Sequence, residues 1–262
     1  MTIADIPLTT LLLLCLAAAA AGWIDAVVGG GGLLQLPALL VGFPHVPPAF
    51  VLGTNKAVGI VGTSAAAVTY LRKAPVDVRT AVRIGLAAIA GSLGGASLAA
   101  GIDSDLLRPL IMVVLLAVLA FVLFRPAFGT APGTGPATRQ RVLAAILVAG
   151  VGIGFYDGLI GPGTGTFLVI ALAAILHMDL VTASATTKVV NVCTNFGALV
   201  MFTAQGTVLW RLAAFMAVFN LAGGTLGART ALKRGSGFVR IVLVVVVVGL
   251  IGKLAHDQWF GG

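Results

Sequence analysis

The sequence contains no glutamate; all eight acidic residues are aspartates. Charge of either sign is scarce: Asp, Glu, Lys and Arg make up 9% of the 262 residues. A soluble domain carries about 25% charged residues, so a water-facing surface cannot be assembled from this set. The only two cysteines, Cys15 and Cys193, both lie inside apolar runs. That excludes a disulfide framework or a thiolate metal site and leaves two small buried hydrophobes. The HxxxH, CxxC and HExxH metal spacings are missing, as is a GxxxxGK[ST] phosphate loop, so direct drive by ATP is not expected. No Lys or Arg precedes the apolar run at 11–21. The charged start of a secretory leader is absent, and this run is expected to be a retained first membrane helix.

What is abundant is hydrophobicity, at 59% of residues and a mean hydropathy of +1.12. Such a chain reads as a polytopic membrane protein with no sizeable soluble domain. The net charge of +8 suggests positive-inside topology and headgroup contact rather than nucleic-acid binding, because the basic residues sit in short loops. Apolar segments run over 8–28, 32–44, 49–71, 80–100 and 106–124, then 142–160, 164–177, 181–204, 209–231 and 238–255. They lack strict alternation, so they are helices rather than barrel strands. The segments at 32–44 and 164–177 are short, and each follows a glycine-rich stretch, Gly29-Gly30-Gly31-Gly32 or Gly161-Pro162-Gly163-Thr164-Gly165. Irregular backbone at membrane depth is tolerated only inside protein or beside water. Broken or re-entrant helices lining a cavity are therefore expected.

The two halves repeat. A shift of 132 residues superimposes Asp25 on Asp157, Gly29 and Gly31 on Gly161 and Gly163, and His45 on His177. It also matches Thr54 and Lys56 to Thr186 and Lys188, Arg79 to Arg211, and Gly91 and Gly95 to Gly223 and Gly227. The expected organisation is a first repeat at 1–129, a cytoplasmic linker at 130–141 and a second repeat at 142–262. Basic residues at 72–83, in the linker and at 229–240 place those turns in the cytoplasm and the N-terminus outside. Five apolar segments per half then give an inverted repeat, the build of many secondary transporters. The fold expected is an all-α integral membrane protein of about eight transmembrane helices plus two short broken or re-entrant segments.

Charges within membrane segments are costly and are functional candidates by default. Four qualify: Asp25, Lys56, Asp157 and Lys188. The lysines, with Thr54, Asn55, Thr186, Thr187 and the backbone N–H groups of Gly31, Gly32 and Gly163, could replace the water shell of an oxyanion, aided by helix N-termini. The alternative is structural, with Asp25–Lys56 and Asp157–Lys188 ion pairs holding broken helices together. Both readings can hold at once. Asn191, Thr194 and Asn195 follow, as substrate contacts or as helix–helix hydrogen bonds. Gln35 and Tyr156 flank the breaks as weaker candidates. His45 and His177 read as capping or interfacial residues, and the Gly-x-x-x-Gly steps as close helix packing.

These residues resemble the TauE/SafE sulfite-exporter family, also called TSUP, over nearly the whole length. The resemblance rests on Ile24-Asp25-Ala26-Val27-Val28 with the four glycines and Pro37, on Gly53-Thr54-Asn55-Lys56, on Gly154-Phe155-Tyr156-Asp157-Gly158 with the second glycine break, and on Ala185-Thr186-Thr187-Lys188 with Asn191. It implies a bacterial inner-membrane transporter, an exporter of sulfite, organosulfonates or related sulfur anions. Lys56 and Lys188 would bind the anion, and Asp25 and Asp157 would pair with them or titrate with coupled protons. No cofactor or metal is expected, and no nucleophile–base constellation suggests an enzyme. The partners expected are the bilayer, a small anionic sulfur compound and, as an option, a second copy in a homodimer. An anion channel with the same lysine-lined pore is the rival reading.

Overall fold

The computed structural model describes residues 7–99 and 138–260. The segment at 106–124, the turn at 101–105 and most of the linker at 130–141 lie outside the described residues. In the first half these form α1 (Leu8–Val28), α2 (Gly31–Gly42), α3 (Pro48–Leu71) and α4 (Val78–Ala99). In the second they form α5 (Arg139–Leu159), α6 (Thr164–Leu176), α7 (Leu180–Ala204) and α8 (Trp210–Phe260). Among the described residues there is no strand.

Local sequence explains the boundaries. α1 stops where Gly29 turns left-handed at φ 78°, its N–H bonding the Asp25 carbonyl; an L side chain is disfavoured there. α3 starts on Pro47-Pro48, where a missing N–H costs nothing. The Asp77 carboxylate accepts from Thr80 N (3.1 Å) and Thr80 Oγ1 (2.6 Å) at the start of α4. Asp179 does the same for Thr182 at the start of α7. Both are N-caps that satisfy first-turn donors. α8 breaks at Gly235, with φ 74° and ψ −173°. α5 passes through a π-helical stretch at Ile146–Gly152, whereas α1 stays α-helical at the equivalent positions.

Exposure is inside out. Leu12, Leu13, Leu16, Leu86, Leu143, Leu147, Val218 and Leu226 are exposed, while Gln35, Asn55, Lys56, Asp157, Lys188, Asn191 and Asn220 are buried. Lipid, not water, suits such a surface. Among the described residues four helices are long and apolar enough to span a bilayer, Leu8–Val28, Val78–Ala99, Arg139–Leu159 and Trp210–Gly235. A fifth span results if α6 and α7, bent by 120°, count together. α3 is long enough at 24 residues, but Thr54, Asn55, Lys56, Thr63 and Thr69 lower its hydropathy. α2 and α6, with 12 and 13 residues, rise only about 18–20 Å, short of the ~30 Å hydrocarbon core.

The halves interlock through reciprocal contacts. A Cβ on Gly91 of α4 would lie 2.5 Å from the Val151 carbonyl of α5, and one on Gly223 of α8 would lie 2.0 Å from the Ala19 carbonyl of α1. Gly95 presses on Phe155 and Gly227 on Trp23 in the same way. Each contact maps onto the other under the 132-residue shift. The glycine steps thus pack helices, as their spacing suggested, but they pack each half against the other. At the centre the two breaks touch backbone to backbone, where a Cβ on Gly29 would stand 2.1 Å from the Gly165 carbonyl carbon. Arg72 and Arg229 line one groove between α3 and α8, so the basic turns after α3 and within α8 share an end of the molecule. The turn before α8 lies toward the other end of α3, with Leu209 N donating to Thr54 Oγ1 at 3.0 Å.

Candidate functional site

A helix leaves its last carbonyls without partners, and α1 ends inside the protein. Its final carbonyls are met one by one. Tyr70 Oη donates to Ala26 O at 2.9 Å, Ser184 Oγ to Val27 O at 3.3 Å, Thr166 Oγ1 to Val28 O at 3.0 Å and Thr166 N to Gly29 O at 3.1 Å. Lys188 Nζ donates to the Asp25 carbonyl and, at 2.9 Å, to the Asp25 carboxylate. An ammonium at a helix C-terminus also offsets the negative end of the dipole. Thr63 Oγ1 adds a 3.3 Å bond to the same carboxylate.

Lys56 of α3 reaches Asp157 of α5, with Nζ 2.7 Å from Oδ2. This is a close ion pair without the alignment of a hydrogen bond, since that oxygen has no hydrogen-bond partner among the described residues. Gly161, at φ +89°, leaves room for the ammonium, because a Cβ there would lie 2.8 Å from Nζ. Tyr156 Oη donates to the Pro162 carbonyl and closes the second break.

The ion pairs therefore differ from the Asp25–Lys56 and Asp157–Lys188 pairs that the sequence suggested. The observed pairs are Asp25–Lys188 and Asp157–Lys56, each joining one half to the other. The physical reason is the helix exchange: the glycine faces seat α1 against α8 and α5 against α4, which carries each aspartate to the other half's lysine.

Between the pairs lies a cavity of about 40 Å³, room for a few water molecules. Asp25, Lys56, Asp157, Asn55, Asn191, Gly31 and Gly32 line it, so seven of the expected site residues meet there. Lys188 is fully buried behind Asp25 and does not line it. Thr54, Thr186, Thr187 and Gly163 do not line it either. Thr54 accepts from Leu209 N, Thr186 Oγ1 donates to Thr182 O at 2.9 Å, and Gly163 caps α6 at φ 81°. The Thr187 hydroxyl is buried with no partner among the described residues. The remaining lining includes three amides, Gln35, Asn195 and Asn220, among glycines and threonines. Gln35 Nε2 donates to Asn55 Oδ1 at 2.9 Å, and Thr194 Oγ1 lies 3.0 Å from both the Asn191 carbonyl and Asn191 Oδ1. Asn195 Nδ2 lies 3.5 Å from Asn191 Oδ1.

The family model for the sulfite exporter TauE/SafE matches residues 14–254. The chain belongs to the TauE/SafE family. Among TauE/SafE-like relatives, a probable membrane transporter protein of Haemophilus influenzae is 33% identical over 242 residues, 91% of this chain and 92% of that protein. The probable membrane transporter protein ORF9 of a Sinorhizobium species is 32% identical over 90% of this chain and 88% of its own length. The probable membrane transporter protein YfcA of Escherichia coli K12 is 31% identical over 90% and 86%. No solved structure matches. This TauE/SafE protein is thus a membrane-embedded transporter of that family.

Sequence reasoning did not single out three polar members of the TauE/SafE cavity, Thr63, Thr164 and Asn220. Thr63 had a signal, because the 132-residue shift carries it onto Asn195, another polar cavity residue. Asn220 had a different one, an amide within an otherwise apolar run. Its repeat-equivalent position holds Ala88, so a search for repeated polar residues passes over it.

Proposed function

We propose that this protein is a secondary transporter that exports a small sulfur-containing anion, sulfite or an organosulfonate, and binds it in the central cavity. The observation that carries the reading is the lining: Lys56 and amide donors beside the N-terminus of α2, whose Gly31 and Gly32 reach the cavity. Buried donors and a helix N-terminus replace an oxyanion's hydration. Lys56 would face the anion, and Lys188 would act through Asp25. Each lysine is engaged by an aspartate, so an entering anion competes with a carboxylate, and Asp25 and Asp157 would be the groups that exchange coupled protons.

In this reading the halves are an inverted repeat of about eight spans in the bacterial inner membrane, with the N-terminus outside and the basic turns in the cytoplasm. The shared end of Arg72 and Arg229 supports that orientation. The small, interrupted cavity favours a carrier over a continuous pore. Reconstituted liposomes provide the test. The wild type should carry radiolabelled sulfite or a C2 sulfonate saturably, and Lys56→Ala should abolish flux in the fraction that elutes as folded, monodisperse protein. Unchanged flux in Lys56→Ala would remove the site.

A further inference from the structure

We propose that Asn220 and Gln35 are positioning residues that fix the hydrogen-bond polarity of the cavity, so that Asn55 presents its NH2 group to the ligand and selects an acceptor-only oxyanion. The proposal rests on the anion reading above and names the device that enforces it.

An amide side chain can turn either its oxygen or its nitrogen toward a partner, and only its network decides which. Here the network has a fixed end. Asn220 Nδ2 lies 2.9 Å from the backbone carbonyl of Ala18, and a carbonyl can only accept. That orients the Asn220 amide, and its second hydrogen goes to Gln35 Oε1 at 3.0 Å. Gln35 must then turn Nε2 the other way, to Asn55 Oδ1 at 2.9 Å and toward the Asn55 carbonyl at 3.4 Å. With its oxygen engaged by Gln35, the end of the Asn55 amide that has no hydrogen-bond partner among the described residues is Nδ2, in a side chain that lines the cavity. One backbone carbonyl on α1 thus sets the polarity of three amides on α8, α2 and α3.

Two glycines make room for the relay. A Cβ on Gly62 would stand 1.8 Å from Asn220 Oδ1, and one on Gly22 would stand 2.3 Å from the Asn220 carbonyl. On the opposite wall, Asn191 Oδ1 is within reach of Thr194 Oγ1 and Asn195 Nδ2, so its Nδ2 is likewise the group left over. Neutral donors on both walls suit an oxyanion, while the charged acceptors in the lining, the Asp25 and Asp157 carboxylates, are each engaged by a lysine.

A double-mutant cycle on the full-length purified protein tests the relay. Sulfite and sulfate are the anionic probes and guanidinium the cationic one, with affinity read by titration calorimetry and folding by thermal melting. Asn220→Ala should weaken anion affinity about tenfold, the scale of one hydrogen bond to a charged group. Asn55→Ala should do the same, and the Asn55→Ala/Asn220→Ala double variant should be no weaker than Asn55→Ala alone. Gln35→Met keeps the side chain's length without its polar ends. It breaks the relay in the middle and should match Asn220→Ala, which covers the case of poor folding in either variant. Additive losses would mean that Asn220 touches the anion itself and would overturn the relay, as would wild-type affinity in Asn220→Ala; in both cases the anion reading stands. Binding of guanidinium but neither anion by the wild type would overturn the anion reading, and the relay's donor polarity with it.

Discussion

The two ion pairs occupy equivalent places in the repeat, yet they are built differently. Lys188 is clasped by both the carbonyl and the carboxylate of Asp25 and sits at the end of a helix whose last carbonyls are all met by neighbours. Lys56 meets only a carboxylate among the described residues and borders the cavity. Their aspartates differ in the opposite sense: the Asp25 side chain is 17% exposed and that of Asp157 3%. The first pair has its lysine sealed and its acid open to the cavity, and the second sets both its acid and its lysine, each nearly fully buried, at the cavity wall. The two copies of the motif thus differ in setting, one a clasp at a helix end and the other a pair at the cavity wall.

The largest effect expected is from Lys188→Met. It takes the counter-charge from the Asp25 carboxylate and one of two donors from the Asp25 carbonyl, which keeps only Gly29 N–H, and breaking a buried pair costs about 3–5 kcal/mol. The folded fraction after extraction, read by size-exclusion chromatography, should collapse. Lys56→Met should also destabilise, but the Lys56→Met/Asp157→Leu double variant should recover most of the loss, because removing both partners of a buried pair is often neutral. The corresponding Lys188→Met/Asp25→Leu variant should recover less, since the C-terminal end of α1 still loses the ammonium that met its carbonyl and offset its dipole. Equal recovery in melting temperature would erase the proposed distinction between the pairs.

Next in size is Thr166→Val, which removes the hydroxyl from Val28 O and leaves the backbone bond to Gly29 O intact. About 1–2 kcal/mol of stability should be lost, the scale for a buried acceptor left unmet, with no selective effect on anion affinity. The smallest effect tests a charge outside both pairs. The Thr80 hydroxyl and N–H hold the Asp77 carboxyl below the ordinary aspartate range. A lowered folded-state value means that its cap contributes above the unfolded pKa and is lost as pH falls through the folded one. Asp77→Ala should therefore lower the melting temperature slightly at pH 7, the difference should fade toward pH 3, and liposome flux should be unchanged.

Much of this was legible in the sequence. The short segments, their glycine breaks and the four membrane charges follow from composition and the 132-residue repeat, and the helices among the described residues fall close to the apolar runs. The pairing was not legible. Asp25 and Lys56 are close in sequence, and nothing in a linear reading says that Gly223 and Gly91 pull the opposite halves together. Nor was the retreat of Lys188 behind Asp25, because repeat-equivalent lysines look alike until the packing around each is known. Asn220 stayed hidden because its function depends on a carbonyl at Ala18, a group that every residue carries and no side-chain pattern reveals.

The exchange of partners also governs how the chain can be made. Asp25 and Lys188 lie 163 positions apart. During synthesis the first half enters the bilayer with a carboxylate and an ammonium whose partners do not yet exist. Those charges need water, lipid headgroups or insertion machinery around them until α7 arrives. Neither half is a self-sufficient unit, and a break in the chain between them would have to be bridged by making both pieces in the same membrane at the same time.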